Sequence, residues 1–102
     1  MRAVLSNEPG GPETLVVADV PAPEPGPGEV VVDVEAVAVN FPDVLIIEDL
    51  YQFKPRRPFA PGAEVAGRVS AVGEGVTTPA IGDRVLAVPG FGGMVEQLAV
   101  KA

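Results

Sequence analysis

The side chains able to do chemistry are few, because the sequence contains no histidine and no cysteine. Without these residue types there is no ordinary zinc site, and no nucleophile activated by a histidine base. The lack of disulfides fits a cytoplasmic protein. Carboxylates remain, together with Tyr51, Lys54, Lys101 and the arginines. Any reaction must use these groups or the backbone, unless the chemistry belongs to something outside this chain.

Two carboxylates are candidates for acid–base work. Asp43 and Glu64 are far apart in sequence, so they form a pair only if the fold brings them together. Isolated carboxylates are usually solvated. From the spacing alone, acid–base catalysis is therefore the less favoured interpretation of these two residues.

One basic cluster is present, formed by Lys54, Arg56 and Arg57. Such a cluster could bind a phosphate or an acidic partner. The simpler interpretation, which we favour, is a solvated loop whose charges offset an acidic surface.

The glycine-rich residues 90–93 are not a nucleotide cradle. They lack the later glycine of a dinucleotide fingerprint and the Lys-Ser/Thr ending of a phosphate loop. A strand pattern follows them instead of a helix, so they are predicted to form a turn.

Composition narrows the classes of protein that remain. The 102 residues carry 7 basic and 14 acidic side chains, a net charge of −7, which argues against nucleic acid and anionic membranes as partners. No apolar run approaches the roughly 18 residues that span a bilayer. With 47% hydrophobic residues, 12 glycines and 12 prolines, the sequence predicts one all-β domain with many turns.

The elements that must position the candidate residues can be predicted in order. Strands are expected at residues 2–6, 13–20, 29–39, 62–72 (interrupted by Gly67), 84–88 and 94–100. Residues 21–28 are expected to form a stiff proline-rich connector, and residues 51–61 a loop. A succession of short strands separated by turns indicates a small barrel or sandwich.

Two segments give sharper expectations. Alternation predicts one face for Val30, Val32, Val34, Ala36 and Ala38, and it predicts burial of Val30, Val32, Val34, Val65 and Val69. Asn40 is a candidate N-cap, and Pro42 suits a first helical turn. Residues 41–49 are therefore predicted to form a short helix. A strand at residues 44–47 remains the alternative.

Several motifs add a resemblance to a known family. They are VNFPD at 39–43, DLY at 49–51, PFAPGAEVAG at 58–67, AVGEGV at 71–76, GDRV at 82–85 and GGMVE at 92–96. Together they resemble the quinone oxidoreductase branch of the medium-chain dehydrogenase/reductase family, in order along the whole chain. The resemblance implies a GroES-like small β-barrel with one or two short helices. It also implies that residues 1–102 are the N-terminal part of a catalytic domain, without the Rossmann domain that binds NADPH.

The same resemblance suggests roles for site residues. Zinc-dependent relatives have Cys where Asn40 stands and His where Ala63 stands, so no zinc is expected. Asn40 is expected beside the nicotinamide and the substrate, Tyr51 near the cleft, and Asp43 and Glu64 as supports of the site. Leu45 replaces a Tyr of several quinone oxidoreductases, and Glu48-Asp49 replaces a frequent basic-Gly pair.

The implied function is NADPH-dependent reduction of a quinone, an enone or a similar conjugated carbonyl. The implied assembly of the longer protein is a homodimer, and the chain alone is expected to be inactive. The alternative is a binding module of co-chaperonin type, since co-chaperonins share the fold and match this length. Residues 40–67 follow the oxidoreductase pattern and favour the enzyme.

Overall fold

The fold consists of six β-strands, one α-helix and one turn of 3-10 helix. A computed structural model describes all of residues 1–102. Its elements are β1 (Arg2–Leu5), the 3-10 turn (Pro12–Thr14), β2 (Val16–Asp19), β3 (Glu29–Ala38), α1 (Phe41–Ile47), β4 (Glu64–Val72), β5 (Arg84–Ala87) and β6 (Gln97–Lys101). The mainly β prediction is confirmed, as are the short helix, the proline-rich connector and the loop after the helix.

The strands form two antiparallel sheets. One has four strands in the order β5-β4-β3-β6, and the other pairs β1 with β2. A bridge between Ala3 and Val95 and another between Ser6 and Phe59 attach β1 to the rest of the chain. Because no ladder joins the sheet edges into a ring, the expected closed barrel is not confirmed.

The core of the large sheet follows from alternation in β3 and β4. Val30, Val32 and Val69 form its buried centre, and Val65 is also buried. Val34 is only half-buried, and Val31 is buried although alternation places it on the other face. Val34 lines an open groove between β3 and the β1–β2 sheet, which leaves part of its side chain accessible to solvent. The pairing of β3 with β4 is also irregular, with an extra residue on β4 after Val31 and one on β3 after Val34, but neither irregularity changes the face of Val31 or Val34.

Two local predictions were wrong. The strand expected at residues 13–20 begins only at Val16, because the backbone N–H groups of Thr14 and Leu15 bond to the carbonyls of Gly11 and Pro12 in a 3-10 turn. Thr14 Oγ1 adds a hydrogen bond of 2.7 Å to the carbonyl of Gly11. Gly67 does not interrupt its strand. A β-carbon there would overlap the carbonyl oxygen of Asp33 on β3, so glycine allows the two strands to approach closely.

A second apolar cluster lies beside α1. Ile46 and Ile47 of α1 and Phe59 are buried together, and Leu15, Tyr51 and Phe91 pack against them. Residues 44–47 are therefore helical, and the alternative strand is wrong. The helix has 7 residues. No helix of this structure has the length and apolar character that crossing a bilayer requires.

Candidate functional site

The pairing of β3 with β4 brings Asn40 and Glu64 together. Ala38 at the end of β3 lies opposite Glu64 at the start of β4, and Asn40 follows two residues later. Asn40 Nδ2 donates a hydrogen bond of 2.8 Å to Glu64 Oε1. Two residues far apart in sequence thus form one polar group at the end of the two central strands.

Asp43 joins this group from the first turn of α1. Its Oδ2 accepts a hydrogen bond of 2.8 Å from the backbone N–H of Asn40, which is one half of a capping box. The residue is only 4% exposed, and its Oδ1 has no hydrogen-bond partner in the chain. Pro42 lacks an N–H, so this helical turn offers fewer donors than usual.

The polar group can orient a ligand. Asparagine has two amide N–H donors, and Glu64 takes one of them. Asn40 is half-buried and Glu64 is exposed, so the amide remains accessible at the surface. Asn40 is therefore a neutral hydrogen-bonding residue with two carboxylate partners. Asp43 binds its backbone N–H, and Glu64 binds its side-chain amide.

Tyr51 lies in a different environment. It is half-buried and packs against the cluster of Ile46, Ile47 and Phe59, toward the C-terminal end of α1. Asn40 caps the opposite end of the helix, whose 7 residues span about 10 Å. The structure therefore brings Asn40, Asp43 and Glu64 together and places Tyr51 at the far end of the same helix.

Arg57 is not the solvated loop charge that the sequence suggested. Its side chain is only 17% exposed. Nη2 donates a hydrogen bond of 2.8 Å to the carbonyl of Ile47, and Nη1 lies 3.2 Å from Asp49 Oδ1. The guanidinium carbon lies 5.2 Å from the centre of the Phe59 ring. Arg56 is exposed, as predicted for the cluster.

The sequence carried one signal for this role of Arg57. Asp49 stands where the resembled family often has glycine, and its φ of 64° makes it the one non-glycine residue with a left-handed backbone. Aspartate is one of the few residues that adopt this conformation at a helix end, and its carboxylate then accepts a hydrogen bond from Arg57.

Asn40 itself lines none of the main surface grooves, although its partner Glu64 lines one of them. One groove of about 470 Å³ lies between the β1–β2 sheet and β3, and it includes the Arg2–Glu96 ion pair. A smaller groove of about 280 Å³ lies between Glu64 and the exposed Leu86 and Val88. None of the four main grooves is lined by Asn40, Asp43 or Tyr51. This chain alone does not enclose a substrate cavity around Asn40.

Neither a metal centre nor a pyrophosphate cradle is formed by these residues. No three His, Cys, Asp or Glu side chains converge in a way that could hold a metal ion. Dinucleotides bind at helix N-termini that offer free N–H groups and a glycine-rich turn. The start of α1 instead carries the buried carboxylate of Asp43, and residues 90–93 lead toward β6.

Comparison with known proteins shows the family. The model of the alcohol dehydrogenase GroES-like domain matches residues 26–102. The chain therefore belongs to the GroES-like domain family of alcohol dehydrogenases, in agreement with the resemblance to medium-chain quinone oxidoreductases.

Individual relatives support the branch. The chain is 41% identical over 103 aligned residues to a quinone oxidoreductase of Lama guanicoe, covering 100% of this chain and 31% of the relative. It superposes with a TM-score of 0.94 and 34% identity on the human synaptic vesicle membrane protein VAT-1 homolog-like protein, covering 99% of this chain and 33% of that one. The TM-score is 0.91 with 32% identity for Escherichia coli quinone oxidoreductase complexed with NADPH, covering 99% and 31%. The chain thus spans about a third of the length of these relatives.

Proposed function

We propose that this chain forms the substrate side of the active site in an NADPH-dependent oxidoreductase that reduces a quinone, an enone or a similar conjugated carbonyl. The observation that carries the proposal is the fixed amide of Asn40, held 2.8 Å from Glu64 at the motif position expected beside the nicotinamide. The likeness to quinone oxidoreductases, one of them complexed with NADPH, supports it. In this proposal the Rossmann domain that binds NADPH lies outside the 102 residues.

The residues of this chain act by position and polarity. NADPH, when bound, supplies the hydride, and the protein orients the reacting groups. Asn40 orients the carbonyl and the nicotinamide through its accessible amide. Glu64 fixes the amide, and Asp43 fixes the Asn40 backbone at the helix start. Tyr51 shapes the pocket, and no residue here is assigned as the proton donor.

We propose that the reaction needs no zinc. The resemblance places zinc ligands at Asn40 and Ala63, where an amide and a methyl group stand. Zinc sites use thiolate, imidazole or carboxylate ligands, and neither of these side chains is one. A hydrogen bond from Asn40 replaces the polarising effect of a metal ion.

The same resemblance and the net charge support proposals about oligomeric state, localisation and partners. We propose a homodimer in the cytoplasm, acting on a small molecule. A net charge of −7 disfavours binding to nucleic acid and to anionic membrane surfaces.

The co-chaperonin alternative shares only the fold, and fold does not decide function. The helix α1 and the bond between Asn40 and Glu64 lie in the segment that follows the oxidoreductase pattern. They favour the enzyme.

Kinetics of Asn40→Ala in the intact protein test the proposal. With NADPH and a simple benzoquinone, kcat/KM should fall about ten- to a hundredfold, since one polar contact is worth about 1–3 kcal/mol. Arg56→Ala is the matched control, because Arg56 is exposed and should leave kinetics unchanged. The proposal is overturned if the intact protein does not oxidise NADPH with any quinone or enone, or if Asn40→Ala is fully active.

A further inference from the structure

Arg57 ties together the two ends of the segment that carries Tyr51. The chain leaves α1 at Ile47, passes through Asp49 and Tyr51, and returns at Arg57. The Arg57 guanidinium contacts the carbonyl of Ile47 at 2.8 Å and the carboxylate of Asp49 at 3.2 Å. The C-terminal end of this segment is thereby bonded to its N-terminal end.

Asp49 is the second half of this connection. Its backbone has a φ of 64°, a conformation that costs free energy for a residue with a β-carbon. Backbone hydrogen bonds that end α1 set this conformation, from Leu50 N–H to the Leu45 carbonyl and from Asp49 N–H to the Ile46 carbonyl. Two cations contact Asp49, because Lys54 Nζ also donates a hydrogen bond of 2.6 Å to its carbonyl. The carboxylate is 40% exposed and the Arg57 side chain 17%, so the pair is partly shielded from solvent.

The same guanidinium also reaches the apolar cluster on which Tyr51 rests. It lies 5.2 Å from the centre of the Phe59 ring, and Phe59 packs with Ile46 and Ile47. Tyr51 packs against that cluster. Arg57 thus contacts both the backbone that leads to Tyr51 and the surface that receives its ring.

We propose that Arg57 is a positioning residue for Tyr51, acting through Asp49, the end of α1 and Phe59. The hydrogen bonds and the ion pair hold residues 49–57 closed, so that the Tyr51 ring stays against the cluster of Ile46, Ile47 and Phe59. The consequence for substrate binding rests on the proposed function, whereas the positioning itself does not. Arg57 therefore sets the affinity for substrate without touching it.

Fluorine NMR of protein labelled with 3-fluorotyrosine tests the positioning directly. Tyr51 is the one tyrosine of this sequence, and Tyr51→Phe assigns its signal in the intact protein. Arg57→Met should move the signal toward the position of free fluorotyrosine, and Arg57→Lys should move it less. Arg56→Met is the matched control, because Arg56 is exposed, and it should leave the signal unchanged.

Asp49→Gly keeps the inference testable if Arg57→Met does not fold. Glycine tolerates the left-handed backbone, so this variant removes the carboxylate without adding strain. It should shift the Tyr51 signal in the same direction as the Arg57 variants. Where both changes fold, the double variant should shift it no further than Arg57→Met alone, because the two residues act as one unit.

Kinetics of the intact protein separate this inference from the proposed function. Arg57→Met should raise KM for a quinone about three- to tenfold with kcat changed less than about twofold, since binding and not chemistry is altered. Arg57→Lys should recover part of the loss. If the intact protein reduces no quinone or enone, the proposed function fails while the NMR result still stands. An unchanged Tyr51 signal in folded Arg57→Met or Asp49→Gly, or additive shifts, overturns the inference.

Discussion

The amide of Asn40 and the carboxylate of Glu64 are joined by a hydrogen bond of 2.8 Å across the open end of the β3–β4 pair. Helix α1 and the loop with Tyr51 lie between the two residues in sequence. The orientation of the Asn40 side chain therefore depends on strand register, and the placement of its backbone on the helix cap. Because its side chain and its backbone are both fixed, Asn40 can orient a ligand without changing conformation on binding.

The first prediction concerns Glu64 in the intact protein. Glu64→Ala should lower kcat/KM for quinone reduction about fivefold, because Asn40 loses the acceptor that fixes its amide, a net loss of about 1 kcal/mol. Steady-state kinetics with NADPH measure it. Glu64→Gln keeps an acceptor oxygen and should retain most of the activity. An equal loss in both variants would show that the charge, not the hydrogen bond, is what matters.

The second prediction concerns the close approach of β3 and β4. Gly67→Ala should destabilise the fold by more than about 2 kcal/mol, because the new methyl group overlaps the carbonyl oxygen of Asp33. Urea unfolding followed by circular dichroism gives the free energy. Ala66→Ser adds one atom at the neighbouring half-buried position and should cost far less. A Gly67→Ala variant as stable as the parent would contradict the strand geometry.

The third prediction concerns metal content. Tag-free protein purified without chelator should contain well under about 0.1 zinc per chain, because Asn40 and Ala63 provide no zinc ligand of the usual kind. Atomic emission analysis measures this, and activity should survive prolonged dialysis against EDTA. One tightly held zinc per chain would refute the zinc-independent mechanism.

The fourth prediction concerns the 102-residue chain alone. It should neither bind NADPH in the micromolar range nor reduce a quinone, because it contains no glycine-rich turn at a helix N-terminus. Titration calorimetry with NADPH and a turnover assay provide the measurements. Tight binding by this chain would mean that the dinucleotide site lies within it.

Local patterns made much of the fold predictable. Alternation in β3 and β4 gave the buried valines Val30, Val32, Val65 and Val69, and Asn40 with Pro42 indicated the start of α1. Periodicity predicts which face a side chain takes but not what covers that face, and so Val34, which lines an open groove, was wrongly expected to be buried. The 3-10 turn that ends at Thr14 is formed by local backbone hydrogen bonds with one side-chain bond added, and the strand-like composition of residues 13–20 gives no sign of them.

The sequence named the candidate site residues, and only the structure shows how they are arranged. The motifs named Asn40, Asp43, Glu64 and Tyr51, but only the register of β3 with β4 reveals that Asn40 and Glu64 bond directly. Spacing also could not distinguish Arg57 from Arg56. One is nearly buried and the other exposed because of the path of the loop in three dimensions.

The pairing of β3 with β6 has a consequence for how the chain is made. Glu29 lies opposite Lys101, and the Val4 N–H bonds to the carbonyl of Met94, so early and late residues complete each other's ladders. Contacts between such distant parts of a chain form slowly, because ordering the long intervening segment costs conformational entropy. During synthesis, the edge of β3 that pairs with β6 therefore has no partner strand until residues 97–101 have left the ribosome. During that interval a nascent chain is most in need of a chaperone, since an open apolar strand edge invites aggregation.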